Sequence, residues 1–362
     1  MFLSTPYYDG DGNLAVDLEP PPEALREQFE EFFASYEMED VIFHPDSEPT
    51  LRPKPSRVCR FCGKSMPDVK FVSAAHTIPQ LTGNKYLISD FECDTCNNHF
   101  SLYESSLGTF LGVSRTLTTL RGQSGIPAYK SPDKKFEIWW EAGEKKIRAA
   151  LDIGFENYYK IDRKKKLLFI FAIKQSYVPL YVFKSLLKIG LCYVDPADLP
   201  FFDRAMRLIR DESLNHHVTG VDFFKGHFYF FGGIPLPFPL IFCFKRKDDS
   251  RIANCPKYYF AVYFGNYIVQ WAMPLFDPDE SIFLAAGKVN VPNCPPLLGK
   301  TVLDIVGIPR LKTVDLSSDQ LVKYEKDEIV MSFTEIHRPL ASRIKNLYYL
   351  IKFRLLQLFQ GE

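Results

Sequence analysis

Apolar residues recur along this chain with two periods, and the period changes with position. Leu25, Phe29, Phe32 and Phe33 return every three or four residues, which predicts an amphipathic helix. Pro20-Pro21-Pro22 just ahead suits its first turn. Residues 44–56 hold four prolines and read as a linker. Strand-like runs follow at Phe136–Trp140, Leu167–Ile173, Phe223–Phe231, Leu240–Phe244, Tyr258–Phe264 and Tyr267–Trp271, all rich in aromatic or β-branched residues. Gly265-Asn266 predicts a tight hairpin between the last two. Helical spacing returns at Tyr181–Leu191 and from Asp195-Pro196 to Ile209. Ser342–Gln360 reads as a basic amphipathic helix with Ile344, Leu347, Tyr348, Ile351 and Leu355 on one side.

These elements predict an α+β fold with a mostly antiparallel sheet over 136–315. The chain divides into a leader with one helix (1–56), a compact block (57–113), a Gly- and Pro-bearing linker (114–135) and a larger α+β domain (136–362). The role of that last domain is open between sensing, substrate recognition and oligomerisation, including homo-oligomer formation.

Composition narrows the class. Of 362 residues, 46% are hydrophobic and 24% charged, which excludes wholesale disorder. Net charge is zero, so a uniformly basic coat for nucleic acid is excluded too. The zero hides an asymmetry: residues 1–55 carry 13 acidic and 3 basic side chains, and the rest is mildly basic. Such a leader either shields a phosphate-binding surface or is a solvated tail. The start lacks a basic n-region and an apolar h-region, and no run of about 18 apolar residues occurs. The longest candidate, Phe228–Phe244, is broken by three prolines and two glycines. A cytoplasmic protein without a membrane partner is the expectation, with its cysteines reduced and open to metal.

Four of the eight cysteines form two CxxC pairs, Cys59-Arg60-Phe61-Cys62 and Cys93-Asp94-Thr95-Cys96. Either pair alone could be a redox motif. Two pairs give two thiolate knuckles, and two knuckles close a tetrahedral structural Zn²⁺ site, one ion per chain. Cys192, Cys243, Cys255 and Cys294 lack ligand spacing and read as core thiols.

Between the pairs lie Ala75-His76-Thr77-Ile78-Pro79 and Gly83-Asn84, and Asn97-Asn98 follows the second pair. CxxC, AHxIP, GN and CxxCNN, in that order, resemble the zinc-stapled branch of the HNH (ββα-metal) endonucleases. The resemblance covers about 57–113 and says little about residues 136–362. It implies a hairpin carrying His76 after a strand at Val69–Val72, a helix from near Cys96 to Gly112, and zinc tying the two together. Phe100, Leu107, Phe110 and Leu111 would face the core. By position, His76 matches the general base, whose ordinary pKa of about 6.5 suits that work. Asn84 matches the asparagine that orients the histidine through its loop, and Asn97 matches the metal ligand on the helix. The implied cofactor is Mg²⁺ or Mn²⁺, the implied partner is nucleic acid, DNA before RNA, and the implied setting is bacterial defence against phage or mobile elements.

One position departs from that pattern. The usual ligand before the histidine is Asp, Glu or His, and here it is Ala75. Glu104, seven residues after Asn97 and on nearly the same helix face, is the best substitute; Ser101 could act through water. Loss of that ligand also supports the rival reading, a zinc-stapled nucleic-acid-binding or protein-interaction module without catalysis. Arg57, Arg60, Lys64, Lys70 and Lys85 are candidate phosphate contacts, as are Arg163–Lys166 and Lys245–Lys247, unless the last two are ordinary turns. His99 is either a phosphate contact or an exposed helix residue. His216, His217 and His227 read as loop and strand residues.

Overall fold

The computed structural model describes residues 2–3, 7–8, 14–15, 18–42, 51–141, 144–149, 157–210, 224–231, 235–248 and 254–332. The predicted helix over 342–360, and His216 and His217, lie outside them.

Helix α1 (Arg26–Ser35) enters through a 3-10 turn after the prolines and runs straight into strand β1 (Tyr36–Ile42). The hairpin β2 (Ala75–His76) and β3 (Ile88–Ser89) precedes α2 (Asp94–Leu111) and the one-turn α3 (Ser114–Leu117). Strands β4 (Phe136–Glu141) and β5 (Glu144–Ala149) form an antiparallel pair. After β6 (Tyr159–Asp162) and β7 (Leu167–Ile173) come α4 (Pro179–Tyr193) and α5 (Asp203–Arg210). Helix α5 starts later than Asp195-Pro196 suggests, because residues 199–202 take a 3-10 turn around Pro200. Strands β8 (Lys225–Phe230), β9 (Leu236–Arg246), β10 (Tyr258–Gly265) and β11 (Tyr267–Ala272) follow, then α6 (Asp277–Ala286), α7 (Lys300–Val306), β12 (Arg310–Asp315) and β13 (Lys326–Ser332).

The chain is an α+β protein whose main sheet has the order β12-β8-β11-β10-β9-β1, antiparallel throughout. Gly265-Asn266 is the two-residue turn expected, with Phe264 facing Tyr267 and Gly265 at φ 53°. Both central strands are buried along their whole length. Their period of two sorts side chains cleanly: Phe260, Val262, Phe264, Val269 and Trp271 face one core, while Tyr259, Ala261, Tyr263 and Ile268 face the other. The second core is closed by α1 through Phe32. The first holds α4 and, beyond it, α2, so Phe100, Leu107, Phe110 and Leu111 share one cluster with the sheet.

The leader is less detached than its composition suggests. Strand β1 pairs with β9 as the sheet's edge, with Ile42 opposite Ile241 and Tyr36 opposite Arg246. Phe32 and Tyr36 are fully buried. Much of the acidic charge therefore sits on a folded edge.

By contacts the chain splits into two units. Everything above except β6, most of β7 and most of β13 belongs to the first, residues 1–149 and 173–326. The second, 150–172 and 327–362, contains a three-stranded sheet in the order β6-β7-β13, with Tyr159 opposite Ile170. Its Arg163–Lys166 cluster is the β6–β7 turn, closed by Asp162 Oδ1, which accepts from the Lys164 and Lys165 amides at 3.0 Å.

Candidate active site

The first knuckle is a tight turn. The Gly63 amide donates to the Cys59 carbonyl at 2.8 Å, and Gly63 sits at φ 72°. The second knuckle is the start of α2, with Cys93 at the N-cap position and Cys96 in the first turn. Helix α2 thus begins two residues before the expected start. The four Sγ atoms lie within 4.8 Å of one another, with Cys59–Cys96 at 3.7 Å and Cys62–Cys93 at 3.8 Å. A tetrahedral ion with Zn–S bonds of about 2.3 Å requires S···S separations of about 3.8 Å. The donor set fits zinc in number, element and spacing. Hydrogen bonding from Cys96 pulls the Cys59 thiol down to about 5, and the same bond pushes Cys96 up, so one thiolate is favoured before any metal binds.

No strand forms at Val69–Val72. This stretch is extended but pairs with the start of α2: the Asp94 carboxylate accepts from the Val72 and Ser73 amides, and the Asp94 amide donates to the Lys70 carbonyl. A side-chain carboxylate has replaced the ladder partner there. The hairpin is β2–β3, with Ala75 opposite Ser89 and His76 opposite Ile88.

Between those strands the chain makes a loop organised by buried Asn84. Its amide nitrogen donates to the Ile78 carbonyl at 2.7 Å and the Leu87 carbonyl at 3.1 Å, and its oxygen accepts from the Tyr86 and Leu87 amides at 3.1 and 2.9 Å. The bond to Ile78 reaches across the loop, and the other three fix the turn before β3. The Thr77 hydroxyl shares a 2.5 Å hydrogen bond with the Tyr193 hydroxyl of α4.

His76 is half-buried at the end of β2, with Nε2 3.1 Å from the Gln80 amide nitrogen. With that amide donating, Nε2 carries the lone pair. Burial, and then the charge of Lys188, push the imidazole pKa below its ordinary value.

Lys188 comes from α4. Its ammonium donates to the His76 carbonyl and lies 3.1 Å from Glu92 Oε2 and 3.8 Å from Glu104 Oε1. The side chains of Lys188 and Glu92 are 1% and 0% exposed, and that of Glu104 is 26% exposed. Burial works against the Lys188 charge, but Glu92, Cys192 and Glu104 outweigh it and hold the ammonium protonated. Burial raises Glu92 to about 7 and also raises Glu104.

Of the residues picked from the sequence, His76 and Glu104 thus meet through Lys188, and Asn84 braces the loop that carries His76. Asn97 lies on the first turn of α2, half-buried, and its side-chain amide makes no hydrogen bond among the described residues. Among those residues the four cysteines are the one grouping of three or more His, Cys, Asp and Glu.

Several basic candidates have structural partners instead. Arg60 donates to the Leu191 and Cys192 carbonyls at the end of α4 and stacks 4.0 Å over Phe91. Arg57 donates to the Arg52 carbonyl. Lys245 pairs with Asp198, Arg246 with Asp279, and Lys247 donates to the Phe33 carbonyl. His99 is not on an exposed face: its Nε2 lies 2.9 Å from the Tyr103 hydroxyl and 3.2 Å from the Ile209 carbonyl of α5. His227 is a buried strand residue, 3.0 Å from Thr313 Oγ1. Cys192, Cys243, Cys255 and Cys294 are buried free thiols.

Lys188 and Glu92 are the residues that sequence reasoning missed. A signal existed for the lysine: α4 buries 13 of its 15 residues, and two of those are Lys184 and Lys188, one helical turn apart. Charge inside an all-apolar helix calls for a partner.

Residues 59–104 match the family model of the HNH endonucleases. Neither the comparison with curated proteins nor that with solved structures finds a match. The HNH match ends at Glu104, so Lys188, which joins His76 to Glu104, lies outside it. No described helix is long and apolar enough to cross a membrane.

Proposed function

We propose that this protein is a metal-dependent HNH endonuclease that hydrolyses phosphodiester bonds, with DNA preferred over RNA. One observation carries the reading: a half-buried imidazole, unprotonated at Nε2 where it accepts from Gln80, sits on a braced hairpin whose His76 carbonyl is tied through Lys188 to Glu104.

His76 acts as general base. Its depressed pKa keeps it neutral near pH 7, so Nε2 accepts a proton from the attacking water as oxygen adds to phosphorus. The Gln80 amide, which donates to Nε2 here, must yield that position to the water. Asn84 and Lys188 act through His76, one by bracing its loop and the other by fixing its carbonyl. Asn97 and Glu104 would hold a Mg²⁺ or Mn²⁺ ion, which when bound supplies positive charge to the departing 3′-oxygen. Zinc holds the module and takes no part in the chemistry. The bacterial defence role rests on the family resemblance.

The test is nicking of supercoiled plasmid by full-length protein with Mg²⁺ or Mn²⁺, beside His76→Ala. Metal-dependent nicking that falls about 10²–10⁴-fold in the variant is the expected result. Ala75, which supplies no ligand, favours the second reading, a binding module without catalysis. A metal-independent gel shift with no nicking at any metal concentration would establish it.

A further inference from the structure

Arg115 is a cation without an evident structural reason to be where it is. It sits on α3, its Nε is buried, and no hydrogen bond or ion pair to its guanidinium exists among the described residues. Burial lowers its pKa. An arginine pressed into a protein without a carboxylate lowers stability unless something else takes its charge.

Its seat depends on a glycine. A Cβ added to Gly108, in the middle of α2, would lie 2.9 Å from Arg115 Nη1, whereas one on Gly122 would meet Nη2 at 3.6 Å, an ordinary contact. Glycine inside a helix costs about 1 kcal/mol against alanine. Here that cost leaves room for the guanidinium.

Arg115 and both glycines line an open groove of about 550 Å³, a volume that suits a nucleotide-sized ligand. Lys130 and Lys174 also line it, and Ser101, Ser105 and Thr109 of α2 supply hydroxyls. Lys130 and Lys174 have carboxylate partners, Glu137 at 3.5 Å and Glu325 at 3.1 Å. Arg115 has none among the described residues. The lining also includes Gln80 and Glu104, both parts of the candidate active site. From Glu104 to Gly108 the helix advances about 6 Å, at 1.5 Å per residue.

We propose that this groove holds the nucleic-acid strand beside the scissile bond, with the Arg115 guanidinium gripping a phosphodiester one or two nucleotides from the one that is cut. The proposal rests on the nuclease reading and extends it beyond the matched module. A guanidinium presents a planar donor fork that fits phosphate oxygens, and filling the groove supplies the charge partner the fold withholds. A strand is the occupant because the groove's lining includes Gln80, which touches His76, whereas a free nucleotide would need no such continuity.

The test uses full-length protein carrying His76→Ala, so that the substrate is not consumed. Affinity for a labelled single-stranded oligonucleotide is measured across salt concentrations. Arg115→Gln should weaken binding about tenfold at low salt and reduce the slope of log affinity against log salt by about 0.7, the share of one phosphate. Arg115→Lys should keep the slope. The thermal midpoint of Arg115→Gln should equal or exceed its parent's, since an unpaired cation is removed. Gly108→Ala, which favours the helix but crowds the guanidinium, should also weaken binding. Parental affinity and slope in both Arg115→Gln and Gly108→Ala would overturn the proposal while leaving the nuclease reading intact. So would Arg115-dependent binding of adenosine monophosphate tighter than that of the strand, which would make the groove a nucleotide site. Failure of the parent to bind any oligonucleotide would remove both readings.

Discussion

Lys188 and Arg115 both bring positive charge to the neighbourhood of α2, and their surroundings are opposite. Lys188 has two carboxylates and a backbone carbonyl around it. Arg115 has two glycines and a groove. The difference separates a charge that serves the fold from one left for a ligand. A buried ammonium with Glu92 beside it joins α4 to the HNH module and fixes the backbone of His76. A guanidinium with no carboxylate weakens the fold slightly and is repaid only when an anion arrives.

The largest expected effect sets the scale for that contrast. Cys96→Ser should strip the zinc, seen as loss of about one Zn per chain by elemental analysis, and unfold the module, because structural zinc contributes roughly 10 kcal/mol or more to folding. A zinc-free protein with a normally folded module would refute the assignment of the four cysteines as zinc ligands.

Lys188→Met comes next. It leaves the Glu92 carboxylate buried and unpaired, which costs about 3–5 kcal/mol in denaturant unfolding. Adding Glu92→Leu should restore most of that loss, since a buried pair replaced by apolar groups is often neutral. If the double variant is as unstable as the single, Lys188 does more than balance Glu92. Arg115→Gln should show no such loss, and a comparable loss there would break the comparison.

Metal demand is the third measure. A neutral amide at Asn97 and one lysine-paired carboxylate at Glu104 make a weak site, so cutting should need millimolar Mg²⁺ or respond better to Mn²⁺. Ala75→Asp should lower the required concentration roughly tenfold, read from the metal dependence of plasmid nicking. An unchanged requirement would place the ion elsewhere.

The smallest effect is a shift in pH profile. His76 must be neutral to accept a proton, so activity should rise with pH through its folded pKa, which lies below the ordinary 6.5. Burial and Lys188 both favour the neutral ring, and removing the Lys188 charge should move that acid limb to higher pH. A limb that stays put in Lys188→Met would show that burial alone sets the pKa.

Local signals carried much of this protein. Alternation in Tyr258–Trp271 needs only the pleat to divide its rings between two cores, and Gly265-Asn266 needs only its own φ to turn the chain. CxxC spacing brings thiolates together because one knuckle is a tight turn and the other the first turn of α2, and the short hairpin between them does the rest. These are properties of neighbours in sequence. Where a charge finds its partner is not. Nothing in the sequence around Lys188 indicates that Glu92 and Glu104 lie beside it, nor that Arg60 caps α4 while Arg115 faces an open groove. Those outcomes depend on how α2, α4 and the sheet pack together, because charge–charge attraction acts across contacts between segments far apart in the chain. The motif was therefore written in the sequence, while the tertiary structure decided which charges find a partner.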